Sequence, residues 1–150
     1  MAISIDEARE ILEERNRAFM DADLDRYMGF WSQDGVMELD GTEISGWQNM
    51  KEAIESAWAT SSVLHFETRS FSANGNTLFN EFSIVWQNKS TGEVTLQTGM
   101  GVIETDDTGK WVYLRDYFDA SGNNFYDSSS SQRRSALESR NVSKYFGEHL

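Results

Sequence analysis

No cysteine and no proline occur in this chain, and cations are scarce. Thirteen Lys and Arg stand against 25 Asp and Glu, a formal net charge of −12. The lack of cysteine excludes disulfides, thiolate metal sites and a cysteine nucleophile. The shortage of cations argues against nucleic acid as a partner, because phosphate binding needs concentrated Lys and Arg. No apolar run approaches the roughly 18 residues of a membrane span, so no membrane partner is expected. The start MAISIDEARE lacks signal-peptide character, which makes a cytoplasmic location the expectation. The two N-x-S sequons, at Asn88 and Asn141, then read as chance matches. There is no phosphate-binding glycine loop, no GxSxG elbow and no HExxH pair. The acidic clusters, such as Asp21–Asp25 and Asp106-Asp107, read as solvated helix faces and turns, so neither a metal nor an organic cofactor is expected.

What is present is a heavily aromatic chain of one-domain length: 150 residues, 13% aromatic and 39% hydrophobic. Ser4 and Glu7 form a capping box, opening a helix to about Asp21. Its stripe is Ala8, Ile11, Leu12, Phe19 and Met20. Asn16 falls on that stripe, either as a boundary residue reaching water or as a hydrogen-bonding group pointed into a cavity. A second, short helix holds Leu24, Tyr27, Met28 and Trp31 on one face. Strands Gly35–Leu39 and Glu43–Ser45 flank Asp40-Gly41, a hairpin signal. Trp47–Thr60 reads as a third helix burying Met50, Ala53, Ile54, Ala57 and Trp58.

Four long extended runs follow, Val63–Ser72, Thr77–Asn88, Glu93–Thr105 and Lys110–Ala120, separated by Asn-, Gly- and Asp-rich turns. Three helices followed by a meander give an α+β domain with the helices on one face of the sheet. Residues 1–120 form that domain. Residues 121–150 read as a flexible joint and a C-terminal helical tail, with Gly, Asn and four consecutive serines in the joint.

The last run, KWVYLRDYFD, carries the strongest chemical signal. Alternation places Trp111, Tyr113, Arg115 and Tyr117 on one face and Val112, Leu114, Asp116 and Phe118 on the other. An unpaired carboxylate among apolar side chains is costly and has a raised pKa. Asp116 is therefore either tied to a buried donor such as Asn16 or Trp86, or used as a general acid/base. His65 reads as a satisfied strand histidine or, if inward, as the partner of Asp116. On the second long run Asn80, Phe82, Ile84 and Trp86 share one face, and on the third Leu96, Thr98, Met100 and Val102 repeat the pattern. These faces suggest a pocket lined by Tyr27, Trp31, Leu39, Trp58, Asn80, Phe82, Trp86, Met100, Leu114 and Phe118. The outer aromatics Trp111, Tyr113 and Tyr117, with Glu81 and Ser83, suggest a homodimer face.

The order helix, helix, hairpin, helix, four long strands resembles the nuclear transport factor 2-like superfamily over about Ile5 to Ala120. That superfamily includes SnoaL-like cyclases, limonene epoxide hydrolases and ketosteroid isomerases. Arg115-Asp116-Tyr117-Phe118-Asp119 is the most specific piece, with Asp34-Gly35-Val36 and Gly46-Trp47 as weaker ones. The resemblance implies a cone-shaped, curved antiparallel or mixed sheet wrapped around the long N-terminal helix, a cystatin-like roll, with Asp116 facing an internal pocket. It also implies acid–base chemistry on a small hydrophobic molecule: cyclisation, isomerisation or epoxide opening. The alternative is a non-catalytic ligand-binding or dimeric assembly module. Two departures stand out. The run Asn80–Val85 lacks the Arg-x-Asp of limonene epoxide hydrolases. The positions matching the ketosteroid isomerase triad hold about Asn16, Leu39 and Gly101, with Asp40 one residue from the base position.

Overall fold

The computed structural model describes residues 2–119, and the expected joint and tail at 121–150 lie outside them. Helix α1 spans Ile5–Met20, α2 Leu24–Met28 and α3 Trp47–Thr60. The strands are β1 Trp31–Leu39, β2 Thr42–Ser45, β3 Ser61–Asn74, β4 Thr77–Asn88, β5 Val94–Thr105 and β6 Trp111–Phe118. They form one sheet in the order β2-β1-β6-β5-β4-β3. The meander β3–β6 is antiparallel, whereas β1 pairs with β6 in parallel. The sheet is therefore mixed, curved about α1 as the cone fold requires.

Local chemistry explains the boundaries. The Ser4 hydroxyl accepts from the Glu7 amide at 3.1 Å, and the Glu7 carboxylate accepts from the Ser4 amide at 2.7 Å. These bonds satisfy amide donors that helix geometry leaves orphaned. Gly46, at φ 90°, turns the chain out of β2 and into α3. The Trp47 indole then donates to the Met28 carbonyl at 3.0 Å, tying α3 to α2.

The apolar core lies between the helices and the concave face of the sheet. Leu12, Met28, Met37, Met50, Leu78, Ile103 and Trp111 are fully buried there. Phe19 of α1 is its hub, meeting Tyr27, Trp58 and Phe66 edge-on at 4.9, 5.1 and 5.1 Å between ring centres.

The structure corrects two expectations. Trp31 opens β1 instead of closing the second helix. Trp111 is buried instead of lying on the outer face. A register shift between Glu104 and Thr105 makes Thr105 pair with Trp111 and Glu104 with Tyr113, so one extra residue, Val112, enters β6. A bulge reverses strict alternation, and it places Trp111 inward with Leu114, stacked on Phe30 at 4.8 Å. Ser83 is fully buried as well, so neither Ser83 nor Trp111 is available to an outer dimer patch.

Candidate functional site

A cavity of about 200 Å³ opens between the helices and the concave sheet. Arg15 and Phe19 of α1, Tyr27 of α2, and Ile54, Ala57 and Trp58 of α3 form one side. Met37, Leu39, Phe66, Ile84, Trp86, Gln97, Leu114, Asp116 and Phe118 from the strands form the other.

Asp116 is placed by the register of three strands. It pairs with Gly101 of β5 and with Leu39 of β1, and Gly101 pairs in turn with Asn80 of β4. A Cβ at Gly101 would stand 2.0 Å from Asp116 Oδ1, so the carboxyl lies directly over the glycine backbone. This is a close approach that only glycine permits. Asp116 Oδ1 is buried and has no hydrogen-bond partner among the described residues. Burial pushes the Asp116 carboxyl up to about 7; the Arg15 cation opposes the rise and the Asp40 charge adds to it.

Arg15 is the group that faces this carboxyl, and it is 3% exposed. Its Nε donates to Asn16 Oδ1 at 3.0 Å, Nη1 to Asn80 Oδ1 at 3.1 Å and Nη2 to Thr68 Oγ1 at 3.4 Å. The guanidinium lies over the Phe66 ring at 4.5 Å and near Phe82 at 5.6 Å. Burial lowers its pKa to about 10, so it remains a cation at neutral pH, while Asp116 supports the charge. No hydrogen bond joins Arg15 to Asp116. Two opposite ionisable groups thus share one apolar cavity without closing on each other. The Tyr27 phenol, fully buried beside them, is pushed up by burial and stays a neutral hydroxyl.

The residues singled out by sequence divide into three groups. Tyr27, Leu39, Trp58, Trp86, Leu114, Asp116 and Phe118 line the cavity. Asn80, Phe82 and Trp31 are buried behind its walls, Asn80 as the acceptor for Arg15 and Trp31 edge-on to Trp111. Asn16, His65 and Met100 are elsewhere. Asn16 is buried, but its amide donates to Thr68 Oγ1 at 3.1 Å and receives Arg15, so it braces the arginine instead of facing Asp116. His65 pairs in register with Val85, on the face opposite Phe66 and Ile84, and its Nε2 lies 3.0 Å from Glu67 Oε2. It therefore cannot partner Asp116. The register shift between Val63 and His65 puts Phe66 inward in its place. Met100 is 62% exposed, since the inward set of β5 is Gln97, Gly99, Gly101 and Ile103. Asp40, the near miss to the base position, stands at the hairpin tip and accepts from the Phe118 amide at 2.9 Å.

Arg15 and Gln97 are the polar cavity residues that sequence reasoning passed over. Arg15 had a signal: it lies four residues after Ile11, three after Leu12 and four before Phe19, a cation on an apolar stripe. Gln97 had none, because the apolar face of β5 is Leu96, Met100 and Val102, while the inward face that carries Gln97 has glycine at two of its positions and no apolar stripe to mark it.

Known proteins share this fold. The SnoaL-like domain family matches residues 12–114. Among solved structures, an LEH-like epoxide hydrolase of Mycobacterium tuberculosis superimposes with a TM-score of 0.68 at 22% identity, over 79% of this chain and 87% of that one. A putative isomerase of Bacillus subtilis gives 0.67 at 25% identity, over 76% and 87%. A Mycobacterium tuberculosis protein in complex with estradiol-17β-hemisuccinate gives 0.68 at 13% identity, over 77% and 95%. No curated protein sequence matches the chain. The family match spans more than half of the chain, and these structures share its fold: the chain belongs to the SnoaL-like domain family.

Proposed function

We propose that this protein is an enzyme that performs acid–base chemistry on a small, largely apolar molecule in the 200 Å³ cavity, with Asp116 as the proton-transferring group. The observation that carries the reading is the Asp116 carboxyl, buried without a partner in an apolar cavity opposite the Arg15 cation. A general base works best with a pKa near the operating pH. At about 7, Asp116 is poised both to take a proton and to return it. Arg15 is held by three hydrogen bonds before any ligand enters, so it can meet an oxygen that gains negative charge without reorganising. The neutral Tyr27 hydroxyl offers a further donor.

Isomerisation by proton abstraction beside a carbonyl uses this arrangement directly. Cyclisation and epoxide opening use it with Asp116 acting on a carbon acid or a water. The described relatives support the range, being an epoxide hydrolase and a putative isomerase. The cavity is below the roughly 300–1,000 Å³ of sites for drug-sized ligands, so the substrate is a compound of one or two rings or a short chain.

Hydrogen–deuterium exchange at the α-carbon of small cyclic ketones in D2O, followed by NMR, tests the reading. The protein is expected to accelerate exchange, with the rate rising as pH approaches 7 and level above it, where Asp116 is ionised. Asp116→Asn should lower the rate by about 10²-fold or more, the usual worth of a positioned base. Equal rates for wild type and variant would remove Asp116 from the chemistry. Ketone binding with no exchange in either protein would make the chain a ligand-binding module.

A further inference from the structure

The polar groups of the cavity are not gathered at one end. Arg15, Asp116 and Tyr27 stand at the row defined by Asn80, Gly101 and Asp116. Gln97 lines the same cavity four residues away along β5, about 14 Å at ~3.4 Å per residue. The inward position between them is Gly99, where a Cβ would meet Phe82 at 2.9 Å and Phe118 at 3.1 Å. Gly99 pairs with Phe118, which lines the cavity together with Phe66 and Ile84, so the wall joining the two polar ends is apolar.

The orientation of Gln97 is dictated by chemistry. Trp86 Nε1 lies 3.0 Å from Gln97 Oε1, and an indole N–H can only donate. The amide oxygen is consequently engaged, and the amide NH2 has no partner among the described residues. At the opposite end the Arg15 guanidinium retains N–H groups on Nη1 and Nη2 beyond those given to Asn80 and Thr68. Both ends present donors, separated by an apolar waist.

We infer that Gln97 is the distal anchor of the site, and that the cavity takes an elongated neutral molecule with an apolar body and a hydrogen-bond-accepting oxygen at each end. One oxygen is seated between Arg15 and Asp116, and the other accepts from the Gln97 amide. Trp86 acts as a positioning residue, since it holds Gln97 donor-inward. A molecule with one oxygen fills the apolar waist and leaves the distal amide unspent. This inference rests on the assignment of the Asp116 end as the reacting end.

The test uses two ketones of nearly the same size: bicyclohexanone with a ketone at each end, and cyclohexylcyclohexanone with one. Their dissociation constants are measured by calorimetry on wild type, Gln97→Glu, Gln97→Leu and Asp116→Asn. Wild type is expected to prefer the diketone by about tenfold, the worth of one good neutral hydrogen bond. Gln97→Glu keeps an acceptor for Trp86 but removes the donor, and should bring the ratio to one or below. Gln97→Leu should bring it to about one, and either variant suffices if the other does not fold. Asp116→Asn should keep the ratio, because it acts at the other end. A wild-type ratio near one, or a preference that survives in the folded Gln97 variants, overturns the anchor while leaving the Asp116 reading intact. Failure of both ketones to bind wild type overturns this inference together with the reading on which it rests.

Discussion

Asp116 is held in its place at a cost to the fold. Below its unfolded pKa of 3.8 the carboxyl is protonated in both the folded and unfolded chains, and burial carries little penalty. Between 3.8 and about 7 the folded state still holds the proton and the unfolded state does not, so stability falls as pH rises. Above 7 both are ionised and the full penalty remains. At ~1.36 kcal/mol per unit, wild type should lose roughly 2–3 kcal/mol from this group between pH 5 and pH 8. Asp116→Asn should lack that loss. Urea unfolding of both proteins at the two pH values measures it, and parallel curves would show that the carboxyl is solvated after all. The Arg15 cation opposes the rise, so Arg15→Met should push the Asp116 pKa higher still, which carboxyl NMR can follow. A pKa unmoved by Arg15→Met would mean that the two groups do not share a field.

At the scale of the elements, β5 decides what the concave face can hold. Its inward glycines leave room for the Asp116 carboxyl at Gly101 and for the Phe82 and Phe118 rings at Gly99. Gly101→Ala introduces a methyl 2.0 Å from Asp116 Oδ1 and 3.3 Å from Asn80 Nδ2. The carboxyl must swing away or the strands must part. Overpacking of this kind costs about 1–3 kcal/mol. The expected outcome is a folded variant with a lowered melting temperature and ketone exchange reduced as in Asp116→Asn. Wild-type exchange in Gly101→Ala would show that the carboxyl position is not critical. Helix α1 complements the sheet. Its Leu12 and Phe19 pack into the core while Arg15, between them, carries the cation across to Asn80 and Thr68. The bulge in β6 turns Trp111 into the core and leaves Asp116 facing the cavity from the same strand.

The whole molecule keeps its polar chemistry inside and its acidity outside. A net charge of −12 disfavours the approach of anions to the molecule as a whole. Among the described residues no helix is long and apolar enough to cross a membrane. The exposed apolar side chains of the outer face are Phe79, Met100 and Tyr117, at 42, 62 and 53% exposure, and Met100 pairs directly with Tyr117. If a second copy docks there, as the sequence suggested for this face with Tyr117 among its residues, light scattering at micromolar concentration should give twice the 17.1 kDa chain mass. Replacement of both Met100 and Tyr117 by Lys should then restore the monomer. A wild-type monomer under those conditions excludes the dimer.

Much of this architecture is written in local chemistry. The Ser4–Glu7 cap, the Asp40-Gly41 turn, the bounds of Trp47–Thr60 and Thr77–Asn88, and the placement of Asp116 among apolar residues follow from spacing and propensity, because each depends on neighbours a few residues away. Three things do not. The bulge that buries Trp111 depends on how β5 and β6 pair over their whole length, and one extra residue inverts a face. The rejection of His65 and Met100 depends on registers set by turns and bulges several residues distant. The meeting of Arg15 with Asp116 joins residues far apart in the chain, and a helical cation gives no local sign of which carboxyl it will face. Sequence determined that a buried carboxyl would exist. Only the packing of α1 onto the sheet decided that an arginine, and neither the histidine nor the asparagine on its stripe, would stand opposite it.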